Sequence, residues 1–208
     1  MLAGIKIGHA DLVGLIVAAS FAAGLNVYAT VATLGILAHL HVLTLPSGLY
    51  LLSSWWVIGV SAVLFVVEFF ADKIPAFDLL WNALHTFVRV PIAALIAFGA
   101  ASHLSPEKQL IATLAGGLIA FAAHGGKTAA RAAVTPSPEP LSNISLSLGE
   151  DALAIFLTWF ATQHPVLATV IVLALLLLIV IVIRWVAGAL RQLFRGADRE
   201  VAQLQVRS

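Results

Sequence analysis

Two long stretches of the chain, Leu12 to Val67 and Ala152 to Ile183, contain no Asp, Glu, Lys or Arg. A helix that crosses a bilayer needs about 20 mostly apolar residues and satisfies its own backbone hydrogen bonds, so runs this long predict helices in lipid. Apolar length and Pro/Gly punctuation divide the chain into six predicted spans: Asp11 to His41, Leu51 to Ala71, Trp81 to Ser102, Glu107 to Val134, Asn143 to Thr162 and Pro165 to Trp185. Short breaks at Leu45-Pro46-Ser47-Gly48, Ser105-Pro106 and Gln163-His164-Pro165 separate them. Thr135 to Asn143 is a true loop, because Pro136, Pro138 and Pro140 cannot continue a helix, and Ser142 or Asn143 is a good N-cap for the next one. The fold class is therefore an all-α integral membrane protein with one six-helix domain over 1–185 and an amphipathic tail over 186–208. In the tail, Trp185, Leu190, Leu193 and Phe194 alternate with Arg184, Arg191 and Arg195, as in a helix leaving the membrane along its inner surface.

Lys and Arg near span ends favour the cytoplasm. With both termini on that side, Lys6, Lys73, Lys127, Arg131, Arg184, Arg191, Arg195 and Arg199 all fall there, and only Lys108 falls outside. The opening segment carries Lys6 before an apolar run too long for a cleaved signal, and reads as the lead-in to the first span.

The halves resemble each other weakly. Gly14-Leu-Ile-Val-Ala-Ala in span one matches Gly117-Leu-Ile-Ala-Phe-Ala in span four, and Phe70-Ala-Asp-Lys-Ile-Pro75 matches Phe160-Ala-Thr-Gln-His-Pro165. Three spans per repeat force opposite orientations, so the pattern predicts a 3+3 inverted pair, about 11–102 and 107–185, an arrangement typical of transporters and channels. The alternative is chance similarity between helices rich in Ala and Leu.

Composition adds little room for anything else: 61% hydrophobic and 10% charged residues leave no sizeable soluble domain. Eleven basic and ten acidic residues give no concentrated basic surface, so no nucleic-acid partner is expected. The absence of Cys excludes disulfides, thiolate metal sites and thiol catalysis. No HExxH, zinc-spaced His-acid pair or GxSxG is present, so an enzyme is the weaker reading, and no metal or cofactor is expected.

Ionisable groups at membrane depth are costly and carry the functional signal. Span one holds Asn26 and Tyr28 just after Gly24, predicting a helix broken or re-entrant at Gly24 to Asn26 that faces a substrate path; close packing through small residues is the alternative. In span four, His124, Lys127 and Arg131 are spaced by three and four and share one helix face, a basic stripe that would attract anions. Gly125-Gly126 would let the backbone open between His124 and Lys127. Gly125-Gly-Lys-Thr128 is no phosphate loop, since that motif needs a further Gly where Phe121 stands and a preceding strand. Glu68 and Asp72 share a face of span two, with Lys73 beside them; His85 and Arg89 share a face of span three. Glu150 and Asp151 lie about two turns into span five. These groups predict a polar cavity open to the cytoplasm, in which carboxyls exchange protons and His85 or His124 relays them. His9, His39, His41, His103 and His164 fall at span ends and read as interfacial residues.

The blocks Val67 to Arg89 (VEFFADKIPAFDLLWNALHTFVR) and Ala122 to Asn143 (AAHGGKTAARAAVTPSPEPLSN), with Gly149-Glu-Asp151, resemble the bacterial membrane family known as domain of unknown function 4126. The resemblance covers nearly the whole chain. It implies a multi-pass protein of the bacterial cytoplasmic (inner) membrane and marks Glu68, Asp72, Lys73, Pro75, Asp78, Trp81, His85, Lys127, Arg131, Pro138, Glu139, Pro140, Ser142, Asn143, Glu150 and Asp151 as motif residues, with no activity attached. The expected function is a transporter or channel for a small solute or ion, anionic if the basic stripe sets the preference and proton-coupled if the carboxyls do. Its site combines Asn26, Glu68, Asp72, Lys73, His85, Arg89, His124, Lys127, Arg131, Glu139, Asn143, Glu150 and Asp151. Its expected partners are membrane lipids, the solute, and further copies of itself, since so few helices barely enclose a pathway. The alternatives are a protein that binds or flips a phosphorylated lipid, and a structural membrane factor without substrate.

Overall fold

The computed structural model describes the backbone of residues 9–73, 75–134 and 140–207, and the side chains of 11–73, 84–131, 144–188 and 191. Among the described residues every regular element is helical: α1 (His9–Leu25), α2 (Val27–His39), a 3-10 helix (Ser47–Ser53), α3 (Trp55–Ala71), α4 (Pro75–Ala100), α5 (Pro106–Val134), α6 (Pro140–Gln163) and α7 (Pro165–Arg207). Helices α4, α5, α6 and α7 each begin on a proline, whose missing N–H would be unpaired in a first turn anyway. Three stretches are long and apolar enough to cross a membrane: Pro106–Arg131, Ile144–Gln163 and Pro165–Gly188. Ser47–Ser53 with Trp55–Ala71 qualifies as a fourth when the pair, bent by 66°, is counted as one. At 43 residues, α7 runs on without a break through the predicted tail.

The surface is what lipid selects. Val60, Val63, Val67 and Phe70 on α3, Leu114 and Leu118 on α5, and Leu173, Leu177 and Ile181 on α7 are exposed, whereas Glu68, Asp72, Arg89, Lys127 and Asp151 are buried. A water-soluble domain sorts its side chains the other way round.

Helix directions define two ends of the bundle. The upper end holds the finish of α4, the start of α5, and the α6–α7 junction at His164; the lower end holds the ends of α3 and α5 and the starts of α4 and α6. α1 starts at the upper end, where Gly14 is pressed against Pro165. It descends beside α5 in the same direction, Ser20 meeting Gly116 and then Gly24 lying against Ala120 and Ala123. After the single extended residue Asn26, α2 climbs back to the upper end. There Gly35 packs on Ile58 and Leu52, Ser47 Oγ lies 3.4 Å from Ser102 Oγ, and the Gly48 N–H donates to Ser102 Oγ at 3.2 Å. The first predicted span, Asp11 to His41, is therefore not one rod but a V with its tip at Asn26 and both open ends at one end of the bundle.

Three expectations change with it. The helix break at Gly24 to Asn26 is present, and it reverses the chain rather than merely kinking it. The inverted repeat is not confirmed: α1 and α5 run the same way where a 3+3 inverted pair needs them opposed, so the likeness of Gly14–Ala19 to Gly117–Ala122 does not extend to helix direction. The break expected at His124 to Lys127 is absent, because α5 is continuous and Gly126 serves contact, a Cβ there falling 2.5 Å from Ile179 Cγ1.

The tip is sharp because Asn26 uses its whole amide group. Its Oδ1 accepts the Ala29 N–H at 2.9 Å, capping α2, while its own N–H still bonds Ala22 O at 2.8 Å to close α1. The other end of α2 closes with His41 in the left-handed region, φ 58°, its N–H bonding Ala38 O and the Val42 N–H bonding Leu37 O.

Candidate functional site

Four helices project ionisable groups to the hairpin tip. On α3, Glu68 and Asp72, the residue that caps its C-terminus, are four apart and both buried; on α4, His85 and Arg89 repeat that spacing. On α5, His124, Lys127 and Arg131 form the predicted stripe and all are buried, and α6 adds Asp151 and the half-buried Glu150.

The stripe does not face empty space, because the acids meet it. Arg89 pairs with Glu68. Lys127 Nζ lies 3.1 Å from Asp72 Oδ2, 3.1 Å from Glu150 Oε2 and 4.0 Å from Glu68 Oε1. Arg131 Nη2 lies 2.8 Å from both Asp72 Oδ2 and Glu150 Oε2, so Lys127 and Arg131 share the same two carboxylates. Lys127 also points at the end of α1, donating to Leu25 O at 3.4 Å. A cation at a helix C-terminus complements the partial negative charge of its last carbonyls.

Hydrogen bonding fixes one protonation state. Arg89 Nη1 lies 2.8 Å from His124 Nδ1, and a guanidinium only donates, so Nδ1 accepts. The ring is then neutral with its proton on Nε2, which donates to Thr86 Oγ1 at 2.7 Å. Tyr28, next to the tip on α2, joins the site through its hydroxyl, 3.1 Å from His85 Nε2.

Asp151 stands apart. Its Oδ1 accepts from Asn26 Nδ2 at 2.8 Å, its Oδ2 is buried without a partner, and no ion pair reaches it among the described residues. Glu68 Oε2, Asp72 Oδ1 and Ser147 Oγ are likewise buried and unbonded. Among the described residues no three His or acid side chains converge as a metal site requires.

Of the residues singled out from sequence, Asn26, Glu68, Asp72, His85, Arg89, His124, Lys127, Arg131, Glu150 and Asp151 come together here. Lys73 does not: its Nζ donates to Phe69 O at 2.7 Å and sits 3.0 Å from the centre of the Phe69 ring. Residues 135–139, with Pro138 and Glu139, and the side chains of Asp78, Trp81, Ser142 and Asn143 lie outside the described residues. Tyr28 and Thr86 are the participants that a search for charge passes over. Thr86 stands three residues before Arg89 on α4, and that spacing is the signal that could have found it.

At the upper end, away from the ring, a cavity of ≈ 640 Å³ opens between the end of α2 and the 3-10 helix, lined by His39, His41, Tyr50, Ser53 and Ser54 among others.

Comparison with curated proteins and with solved structures finds no match. The family described as domain of unknown function (DUF4126) has a model that matches residues 13–185, most of the chain, and the protein belongs to that family.

Proposed function

We propose that the protein is a membrane transporter or channel for a small solute or ion, with the hairpin tip as the narrow point of its path. In this reading α3 to α7 cross the bilayer and α1–α2 is re-entrant, giving five crossings in place of the six expected from apolar length. Lys73, Lys127, Arg131, Arg184 and Arg191 belong to the lower half or lower end, which is then cytoplasmic, while Lys108 lies at the upper end. The start of α1 is accordingly on the far side from the end of α7, in place of two cytoplasmic termini. The reading puts the protein in the bacterial inner membrane, as the family resemblance implies, and assembly into a homo-oligomer is proposed on size alone.

The carrying observation is that a non-helical backbone residue, Asn26, meets a buried ring of opposed charges inside an apolar-surfaced bundle. At membrane depth, broken backbone is tolerated where protein or a polar cavity covers it, and transporters bind their substrates at such half-helix ends. The ring is not saturated, as oxygens of Glu68, Asp72 and Asp151 lack partners, and a network built only for folding fills such positions. Every cation of the stripe is held by a carboxylate, and the ring's spare atoms include three carboxylate oxygens as well as arginine Nε donors, an excess of acceptors that favours a cation or a donor-bearing solute over an anion. A phospholipid headgroup is less well served, because the Arg89, Lys127 and Arg131 side chains are at most 5% exposed and offer no lateral approach.

The test needs no known substrate. The chain lacks Cys, so Thr30→Cys places one thiol beside the tip. In proteoliposomes a small water-soluble methanethiosulfonate should modify it, and the rate should change when alkali cations or small amines are added. A thiol that stays unmodified while Leu40→Cys reacts at once would leave a sealed, structural network and sink the transport reading.

A further inference from the structure

We propose that Asp151 is the proton-binding site of the ring, the carboxyl that takes up and releases a proton beside the hairpin tip. Its purpose rests on the transport reading; its chemistry does not. Among the described side chains, Arg89, Lys127 and Arg131 are matched by Glu68, Asp72 and Glu150, three cations to three carboxylates joined by direct pairs. Asp151 is the fourth acid and has only the neutral amide of Asn26. A buried carboxylate without a cation carries a penalty of several kcal/mol, and a proton on Oδ2 removes it. The step involves a single O–H bond: it forms at Oδ2 with a proton from the aqueous phase and breaks when that proton is released, with no other reactant.

Two neighbours fit the role. Glu150, preceding Asp151 on α6, has the most exposed carboxylate of the ring at 11% and offers the way in from outside. Ser147, one turn before Asp151 on the same buried face, is fully covered and its hydroxyl is unbonded, a second polar group where a transferring proton needs one. The charges acting on Asp151 are Lys127 from α5 and Glu68 and Asp72 from α3, with the Asn26 amide from the tip. Arg89, His85 and His124 complete the ring from α4 and α5, and α7 contributes no ionisable side chain to it among the described residues.

The coupling is mechanical. Asn26 holds Asp151 with its nitrogen and the first turn of α2 with its oxygen, so a proton gained or lost at Asp151 is felt at the hairpin tip.

Infrared difference spectroscopy of the purified full-length protein in lipid, in light and heavy water, tests this directly. The wild type should show the C=O stretch of a protonated carboxyl that disappears as pH is raised. That band should be lost in Asp151→Asn, which keeps an oxygen for the Asn26 bond, and retained in Glu150→Gln. A band absent from the wild type at every pH, or unchanged in Asp151→Asn, overturns the assignment. A band that behaves as expected in a protein whose Thr30→Cys thiol stays sealed upholds the proton site while removing transport. If Asp151→Asn does not fold, Asn26→Ser supplies the second reading: it removes the amide donor and should shift the pH at which the band disappears, and an unshifted band counts against the site.

Discussion

Replacing Glu68 by Leu removes the carboxylate that, among the described residues, is directly bonded to Arg89. Arg89 is completely buried and its described partner His124 is neutral, so the substitution takes a bonded carboxylate away from a guanidinium inside the bundle. Breaking a buried pair in this way costs about 3–5 kcal/mol. Arg89→Met should cost a similar amount, since Glu68 would be left with Lys127 at 4.0 Å, and Lys127 is already engaged by Asp72 and Glu150. Replacing both by apolar residues of similar volume removes the two desolvation penalties together, so the double variant should lie within about 2 kcal/mol of wild type. The coupling energy is then at least about 4 kcal/mol, far above the 0–1 kcal/mol range typical of an exposed pair. Reversible unfolding in mixed detergent micelles, followed by circular dichroism for all four proteins, measures it. Additive losses, with the double variant worse than either single one, would refute both the pairing and the claim that its members are desolvated.

Other consequences are cheaper to check. Gly24→Ala should destabilise by about 1–3 kcal/mol because its methyl meets the Ala120 backbone, whereas Gly125→Ala, with open space around its Cβ, should be neutral or stabilising by up to about 1 kcal/mol; thermal unfolding of the two separates a packed tip from a flexible one. His41→Gly should stabilise by about 1 kcal/mol by releasing the left-handed backbone at the end of α2, and a lower melting temperature would contradict that conformation. Nitrogen-15 NMR of histidine-labelled protein should show His124 neutral with its proton on Nε2, and an imidazolium signal assigned through His124→Asn would break the Arg89 argument. For topology, Asp11→Cys and Leu40→Cys should react with an impermeant reagent from one side of the membrane and Lys73→Cys from the other; labelling of Asp11 with Lys73 would restore a first span that crosses.

The ring was legible in the sequence largely because charge is scarce. In helices this apolar, pairs at i and i+4 such as Glu68/Asp72, His85/Arg89 and Lys127/Arg131 have few places to go but inward. The partners were not legible: nothing in the spacing says that Arg131 shares Asp72 and Glu150 with Lys127, because that depends on how α3, α5 and α6 are placed. The hairpin was hidden for a related reason. Hydropathy counts apolar length and is blind to direction, so Asp11 to His41 reads as one span whether or not the chain turns back at Asn26. Gly24 and Asn26 mark the weak point, but the reversal is decided by contacts distant in sequence, Gly14 on Pro165 and Gly48 against Gly99. Gly125-Gly126 was over-read for the converse reason, since a glycine needed to admit Ile179 looks in sequence like one needed for an opening.

The hairpin also explains why an unpaired acid can persist here. The helix ends at its tip carry opposite partial charge, negative carbonyls at the end of α1 and positive N–H groups at the start of α2. Each end has found its complement, Lys127 at Leu25 O and Asp151 at the α2 cap through Asn26. Asp151 has a neutral hydrogen-bond partner at one carboxyl oxygen and none at the other. A carboxyl that bonded Arg89 as Glu68 does would be locked in one form, and one in a purely apolar pocket would be locked in the other. Asp151 sits between those limits at the point where the backbone is broken. A group that must both accept and release a proton needs that position, and a group serving only to hold helices together does not.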